Sequence, residues 1–181
     1  IQVGKYTIND LAYTQVKTDS GNYGLNNATL LSQYCSTAGA IQGCGGGWNN
    51  TVRAGFAIDT RDFEPDPNKG QLFEAIAEVS NKAYGSEFNY ARYTISEKFF
   101  YSPMPQLVDL VFAGRMAYTQ SVGDVPFYTM NQISSTENTY LAALGGLRSL
   151  RGYKDSRFVA NNMTLANLEL RWTMFDFTLF G

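Results

Sequence analysis

Five stretches of this chain alternate apolar and polar residues for longer than an ordinary strand lasts. Residues 51–61 set Val52, Ala54, Phe56 and Ile58 against Arg53, Gly55, Ala57 and Asp59. Residues 71–83 set Phe73, Ala75, Ala77 and Val79 against Glu74, Glu78, Ser80 and Lys82, with Ile76 on the polar side. In 88–101, Ala91, Tyr93, Ile95 and Phe99 oppose Arg92, Thr94, Ser96 and Lys98, and Glu97 interrupts the apolar side. In 107–118, Val108, Leu110, Phe112, Met116 and Tyr118 oppose Asp109, Ala113 and Arg115; in 163–173, Ala166, Leu168, Leu170 and Trp172 oppose Asn167, Glu169 and Arg171. Successive strand side chains point to opposite faces, so each stretch has one apolar and one polar face. Their lengths, about 10 to 13 residues, exceed the usual strand mode of about 5–6. They suit a tilted transmembrane strand, which needs about 9–11 residues.

A soluble barrel or β-sandwich also alternates. Here the polar faces carry Arg, Lys and Glu in mid-strand, as a wet lumen permits. Aromatics gather near strand ends, at Phe99, Phe100, Tyr101, Tyr118, Trp172, Phe175 and Phe177, where interfacial girdles sit. Aromatic residues make up 14% of the chain while hydrophobic residues are only 44%, a mixture expected when lumen-facing polar residues dilute lipid-facing ones. No apolar run approaches the roughly 18 residues of a spanning helix. With 14 basic and 16 acidic residues the net charge is -2, which gives no electrostatic footprint for nucleic acid.

The connections sort by side. The short turns at 63–70 and 102–106 hold Pro65, Pro67, Pro103 and Pro105 and fall at one end of the strands. Long loops at about 17–48 and 120–161, together with the short "YGSE" turn at 84–87, fall at the other. Bacterial barrels keep short turns on the periplasmic side and long loops outside, so the long loops are expected to be extracellular. Residues 3–16 are plausible as a first strand that alternates poorly, and residues 175–180 begin another. That total, about six strands and a start, falls short of the smallest usual closed barrel of about 8. Open edges cannot face lipid, so strands outside this chain are expected to complete the wall. The chain opens on Ile1 and lacks a signal-peptide pattern, as a mature or incomplete chain would.

Cys35 and Cys44 lie in a loop rich in Gly, Ser and Asn. A polar loop gives little reason to bury a thiol, so a disulfide formed in an oxidising compartment is expected; the alternative is two free thiols. Two Cys and no His do not make a zinc site, which takes about four N or S ligands. The lack of His also leaves no Ser-His-Asp or Cys-His arrangement, and there is no Gly-x-Ser-x-Gly elbow. Glu74 and Glu78 lie about 13 Å apart along a strand, too far for a retaining glycosidase pair. Neither "GCGGGW" nor Gly145-Gly146 continues into the Lys-Ser/Thr pair of a phosphate loop. Sequons occur at Asn27, Asn49 and Asn162 and are expected to be chance occurrences. No catalytic residue, metal or cofactor is expected.

"RAGFAIDTRDFEPDPNKGQLFEA", then "GDVPFY" leading to "GGLRSLRGY", then "LANLELRW" resemble the bacterial outer-membrane insertase and translocon superfamily. That superfamily takes in the BamA/TamA-type surface-antigen barrels and the two-partner secretion pores. The resemblance runs from about residue 51 onward, and the loop ending in Arg151-Gly152-Tyr153 is its most specific part. It implies an all-β fold, a transmembrane antiparallel up-and-down β-barrel, present here as a partial barrel domain over 1–181. The family's barrel has sixteen strands preceded by periplasmic repeat domains. No such repeats occur here, and the segment corresponds to roughly the seventh to thirteenth strand.

The resemblance also implies that the loop folds back into the lumen, with Arg151 bonded to acidic and aromatic groups on the inner wall. Arginine's fork suits that role, since it pairs with a carboxylate and stacks on a ring. Gly152 would turn the backbone sharply, and Tyr153 would pack beside the guanidinium. Glu169 is the candidate acid, being on the lumen face of the next strand. The other reading of Arg151 is a solvated loop cation. Asp59, Arg61 and Asp62 would form a charged cluster at the periplasmic rim, or merely a strand-end pattern that stops slippage. The implied work is insertion or translocation of polypeptide at the bacterial outer membrane, without chemistry. Implied partners are outer-membrane lipid, other outer-membrane or periplasmic proteins and the remaining barrel strands. A passive anchor or pore, and a soluble ligand-binding β-barrel, are the alternatives.

Overall fold

A computed structural model describes residues 1–8, 35, 41–107, 109–137, 140–142, 144–147, 149–155 and 157–174. Its strands are β1 (Lys5–Tyr6), β2 (Gly47–Trp48), β3 (Thr51–Asp59), β4 (Gly70–Ser80), β5 (Tyr90–Tyr101), β6 (Asp109–Gly123), β7 (Gln132–Ser134), β8 (Tyr140–Ala142) and β9 (Asn162–Thr173). The five long ones form a single antiparallel sheet in the order β3-β4-β5-β6-β9, and β1-β2 and β7-β8 are small two-stranded pairs. Neighbours in the large sheet are consecutive up-and-down strands, apart from the long excursion between β6 and β9. The sheet is open, as a barrel wall taken in part.

The register settles which side faces what. Arg53, Glu78, Arg92 and Ser121 lie opposite one another across four strands, and Ala54, Ala77, Tyr93 and Gln120 form the next row. Because the side-chain period is two, alternate rows point to opposite faces. The apolar rows are the uncovered ones: Phe56, Ile95, Met116 and Leu168 are all more than half exposed. The polar rows are covered, with Glu78 and Arg92 each 1% exposed and Glu74, Thr94, Ser96 and Thr119 also buried. A water-soluble barrel needs the reverse, since each large apolar side chain left in water forgoes about 1.5–3 kcal/mol of burial. Lipid on the outer face removes that cost, and a polar lumen suits the inner one. The five strands form a transmembrane β-barrel wall.

On the outer face Phe99 stands opposite Gly114, and a Cβ at Gly114 would overlap its ring. The ring covers backbone that glycine leaves bare, an aromatic rescue of the kind that pins register. Glu97 points to the same outer side, between Phe73 and Met116 in the register.

Several expected boundaries move. The strand expected at 107–118 continues to Gly123, so the second long loop opens at 124 and not at 120. The strand expected to reach residue 83 stops at Ser80, and Lys82–Tyr84 is a short 3-10 turn. There the Asn81 side chain accepts the Ala83 N–H at 2.8 Å, a local bond that competes with continuing the ladder. Among the described residues of the poorly alternating first stretch, only Lys5–Tyr6 is a strand, and it pairs with Gly47–Trp48. Residues 9–16, and the strand start at 175–180, lie outside the described residues.

Candidate functional site: the loop seated on the inner wall

The connection over 124–161 does not stand free above the sheet. Its first limb begins at a short 3-10 turn, Phe127–Thr129, fixed at the long-loop end of the wall. Phe127 donates its N–H to the Gln42 carbonyl at 3.0 Å. Tyr128 stacks on Tyr6 with ring centroids 4.3 Å apart, and Val125 packs with Phe88 and Tyr90. Burial, with Tyr6 and Glu87 nearby, pushes the Tyr128 hydroxyl up to about 12, so it stays neutral at ordinary pH. The segment bearing Gln42 is tied down in turn by a disulfide between Cys35 and Cys44, with Cα atoms 5.7 Å apart, as expected.

From there the limb runs along the lumen face toward the short-turn end. Arg92 of β5 donates to the Thr129 carbonyl at 2.6 Å and to Ser121 Oγ at 3.3 Å. On its other side lies Glu78, which takes Arg53 at 2.8 Å and Tyr90 Oη at 3.3 Å, with Arg92 at 3.9 Å. Four positions farther down β4, Glu74 accepts the backbone N–H of Thr136 at 2.6 Å and its hydroxyl at 2.5 Å. Ser135 Oγ reaches the same carboxylate at 3.1 Å, and Ser96 Oγ of the wall at 2.8 Å. Glu137 next pairs with Arg61 at 2.9 Å and with Lys98. On the sheet's β9 side, Ile133 packs on Met163 with Leu144 beside them.

The second limb carries the Arg-Gly-Tyr triplet. Arg151 donates to Glu169 Oε1 at 2.7 Å. The pair is open, with the Arg151 side chain 72% exposed and that of Glu169 37%. Arg171 approaches the other Glu169 oxygen at 3.5 Å. Gly152 has φ +96°, a left-handed backbone suited to glycine, so the sharp turn is present. Tyr153 packs edge-on against Phe158 with centroids 5.3 Å apart. Ser149 Oγ donates to the Gly145 carbonyl at 2.6 Å and accepts the Gly145 N–H at 2.8 Å, and Asn167 of β9 donates to the Ser149 carbonyl at 2.8 Å. Between this limb and the wall is a space of about 580 Å³ bordered by Lys98, Arg115, Glu137, Asn167 and Arg171.

Residues 4–180 match the Omp85 superfamily domain. The chain belongs to the Omp85 superfamily. No curated protein and no solved structure is significantly similar to it. Omp85 members are insertases and transporters of outer membranes, which agrees at that level with the seated loop and the inside-out wall.

The charged trio at the short-turn end separates into two parts. Asp59 and Arg61 pair at 2.7 Å, and Arg61 joins them to the loop through Glu137. The hydrogen bond to Asp59 and the Glu137 charge hold the Arg61 guanidinium above its ordinary pKa. Asp62 turns instead to the prolyl turn, accepting the N–H groups of Phe63 and Asn68 at 3.0 Å and of Lys69 at 3.2 Å. Desolvation pushes its carboxyl up, and the donors of Lys69, Asn68 and Phe63 together outweigh that, so its pKa lies below the ordinary value. Sequence reasoning passed over Glu74, Arg92 and residues 135–137 as loop seats. Two mid-strand acids on the lumen face were the available signal, whereas Ser-Ser-Thr-Glu in a loop carries none.

Proposed function

We propose that this protein is an outer-membrane barrel of the insertase or translocon type, helping polypeptides insert into or cross the bacterial outer membrane. The observation that carries the reading is the loop with Arg151-Gly152-Tyr153 lying along the lumen face of an Omp85 wall, with Arg151 bonded to Glu169. In this reading Arg151, Gly152, Tyr153 and Glu169 brace the barrel from inside, the long loops are extracellular, and Asp59 with Arg61 marks the periplasmic rim. Lipid covers the outer rows, and further strands complete the wall, since an unpaired edge in hydrocarbon costs several kcal/mol per bare group. Other outer-membrane or periplasmic proteins deliver or receive the polypeptide.

A loop packed along the inner face speaks against a wide, passive pore. The protein's work is positional and involves no bond chemistry. The test is client folding. Full-length protein in phospholipid vesicles receives a urea-unfolded small outer-membrane barrel, whose folding is followed by heat-dependent gel mobility. We expect folding about tenfold faster than with empty vesicles, a barrier lowered by about 1.4 kcal/mol. Equal rates, with the protein itself fully inserted, would refute the insertase reading and leave a passive anchor.

A further inference from the structure

The Arg151–Glu169 pair joins the second limb of the loop to β9, the last described strand of the sheet. The first limb is held differently. Glu74 is 2% exposed and lies in mid-strand on β4. Three of its four hydrogen bonds come from the loop, through Ser135 Oγ and both the N–H and the hydroxyl of Thr136. Hydrogen bonds to an ionised acceptor are about twice as strong as neutral ones. The neighbouring residue, Glu137, adds Arg61 and Lys98. Six residues upstream of Ser135, the Thr129 carbonyl takes the buried Arg92. These contacts involve β4, β5 and the segment after β3, whereas Arg151 and the Ser149 carbonyl of the second limb meet Glu169 and Asn167 of β9.

We propose that Glu74 is the positioning residue that seats this loop in the lumen, and that the two limbs are latched independently. The 135–137 corner stays on Glu74, Arg61 and Lys98 when the Arg151 limb leaves Glu169. The first limb is thus held without help from the Arg-Gly-Tyr limb. The inference rests on the lumen-loop reading above and adds which contact holds the first limb.

Limited proteolysis from the long-loop side of full-length protein in phospholipid vesicles separates the limbs. Glutamyl endopeptidase reports on Glu137, and trypsin reports on Lys154 and Arg157, with fragments assigned by mass. When opening is fast, cutting tracks the population of the open form. In the wild type, Lys154 and Arg157 are cut and Glu137 is protected. R151A speeds cutting at Lys154 and Arg157 and leaves Glu137 protected. E74A speeds cutting at Glu137 by about tenfold or more while the barrel keeps its heat-dependent gel mobility. If E74A does not fold, the double variant Ser135→Ala, Thr136→Val removes the two side-chain bonds to Glu74 with the wall untouched and should speed cutting at Glu137 severalfold, less than E74A because the Thr136 N–H bond remains. Protection of Glu137 in an intact E74A or double-variant barrel overturns the proposal, as does release of Glu137 by R151A. A protein that leaves the vesicles without detergent fails the barrel reading itself, which is a separate result.

Discussion

Replacing Glu78 with alanine should destabilise the barrel far more than removing the motif arginine. Glu78 sits in a row across four strands, between Arg53 and Arg92. It accepts Arg53 Nη2 at 2.8 Å and Nε at 3.2 Å, and Tyr90 Oη at 3.3 Å. Breaking a buried ion pair by removing one partner costs about 3–5 kcal/mol, because the other charge is left without compensation. The low end applies here. Arg53 is partly exposed and can hydrate, and Arg92 keeps its bonds to Ser121 and the Thr129 carbonyl. We therefore expect a loss of about 3 kcal/mol. The Arg151–Glu169 pair is 72% and 37% exposed, so R151A should cost about 0.2–1 kcal/mol. With a urea slope of about 1–3 kcal/mol per molar, E78A lowers the unfolding midpoint by about 1–3 M and R151A by about 0.1–1 M, at least about threefold less at the same slope. The assay is equilibrium urea unfolding of full-length protein in detergent micelles, read by tryptophan fluorescence and by heat-dependent gel mobility. Equal midpoint shifts for the two variants would falsify the ranking and make the exposed pair the main brace.

Ile95, on the outer row in the middle of β5, should not accept a charge: I95R costs about 2–4 kcal/mol if the residue sits at mid-membrane. I95A should insert normally, and undiminished vesicle insertion of I95R would contradict lipid contact there. G114V forces Phe99 off the backbone it covers; overpacking of this kind costs about 1–3 kcal/mol, which the additional change F99A should largely relieve in unfolding experiments. The Asp62 contacts should fail in acid. Its folded pKa lies below the ordinary 3.8, so the stabilisation is complete above that value and disappears as pH falls through the lower folded one. Hydrogen exchange at the Asn68 and Lys69 amides should accelerate over that window beyond its intrinsic rate and should not do so in D62N; protection that persists below it means Asp62 does not hold the turn.

The five wall strands were legible because alternation over nine to fifteen residues is a local signal, and the register repeats it in every neighbour. Which face is outside was legible too, since charges in mid-strand suit only a wet side. Strand ends were less so. Residues 119–123 continue β6 with polar and small side chains because they pair with Tyr90–Thr94, a condition imposed by the partner strand and invisible along the chain. At the site, the family motif pointed to Arg151 and strand parity to Glu169, whereas Tyr153, expected beside the guanidinium, packs on Phe158.

By itself the sequence determined a wall: period-two patterning fixes which side chains share a face, and long apolar rows demand lipid. It also supplied the loop, its motif and the cysteines that close the other loop. Only the tertiary structure decided where the long loop lies and what holds it. Glu74 and Thr136 are separated by sixty-two positions, and nothing local links a strand carboxylate to a loop hydroxyl. Their meeting depends on the path that the chain takes between β6 and β9. That path brings Ser135 and Thr136 to the buried carboxylate of Glu74, which would cost about 1–3 kcal/mol or more if left unbonded.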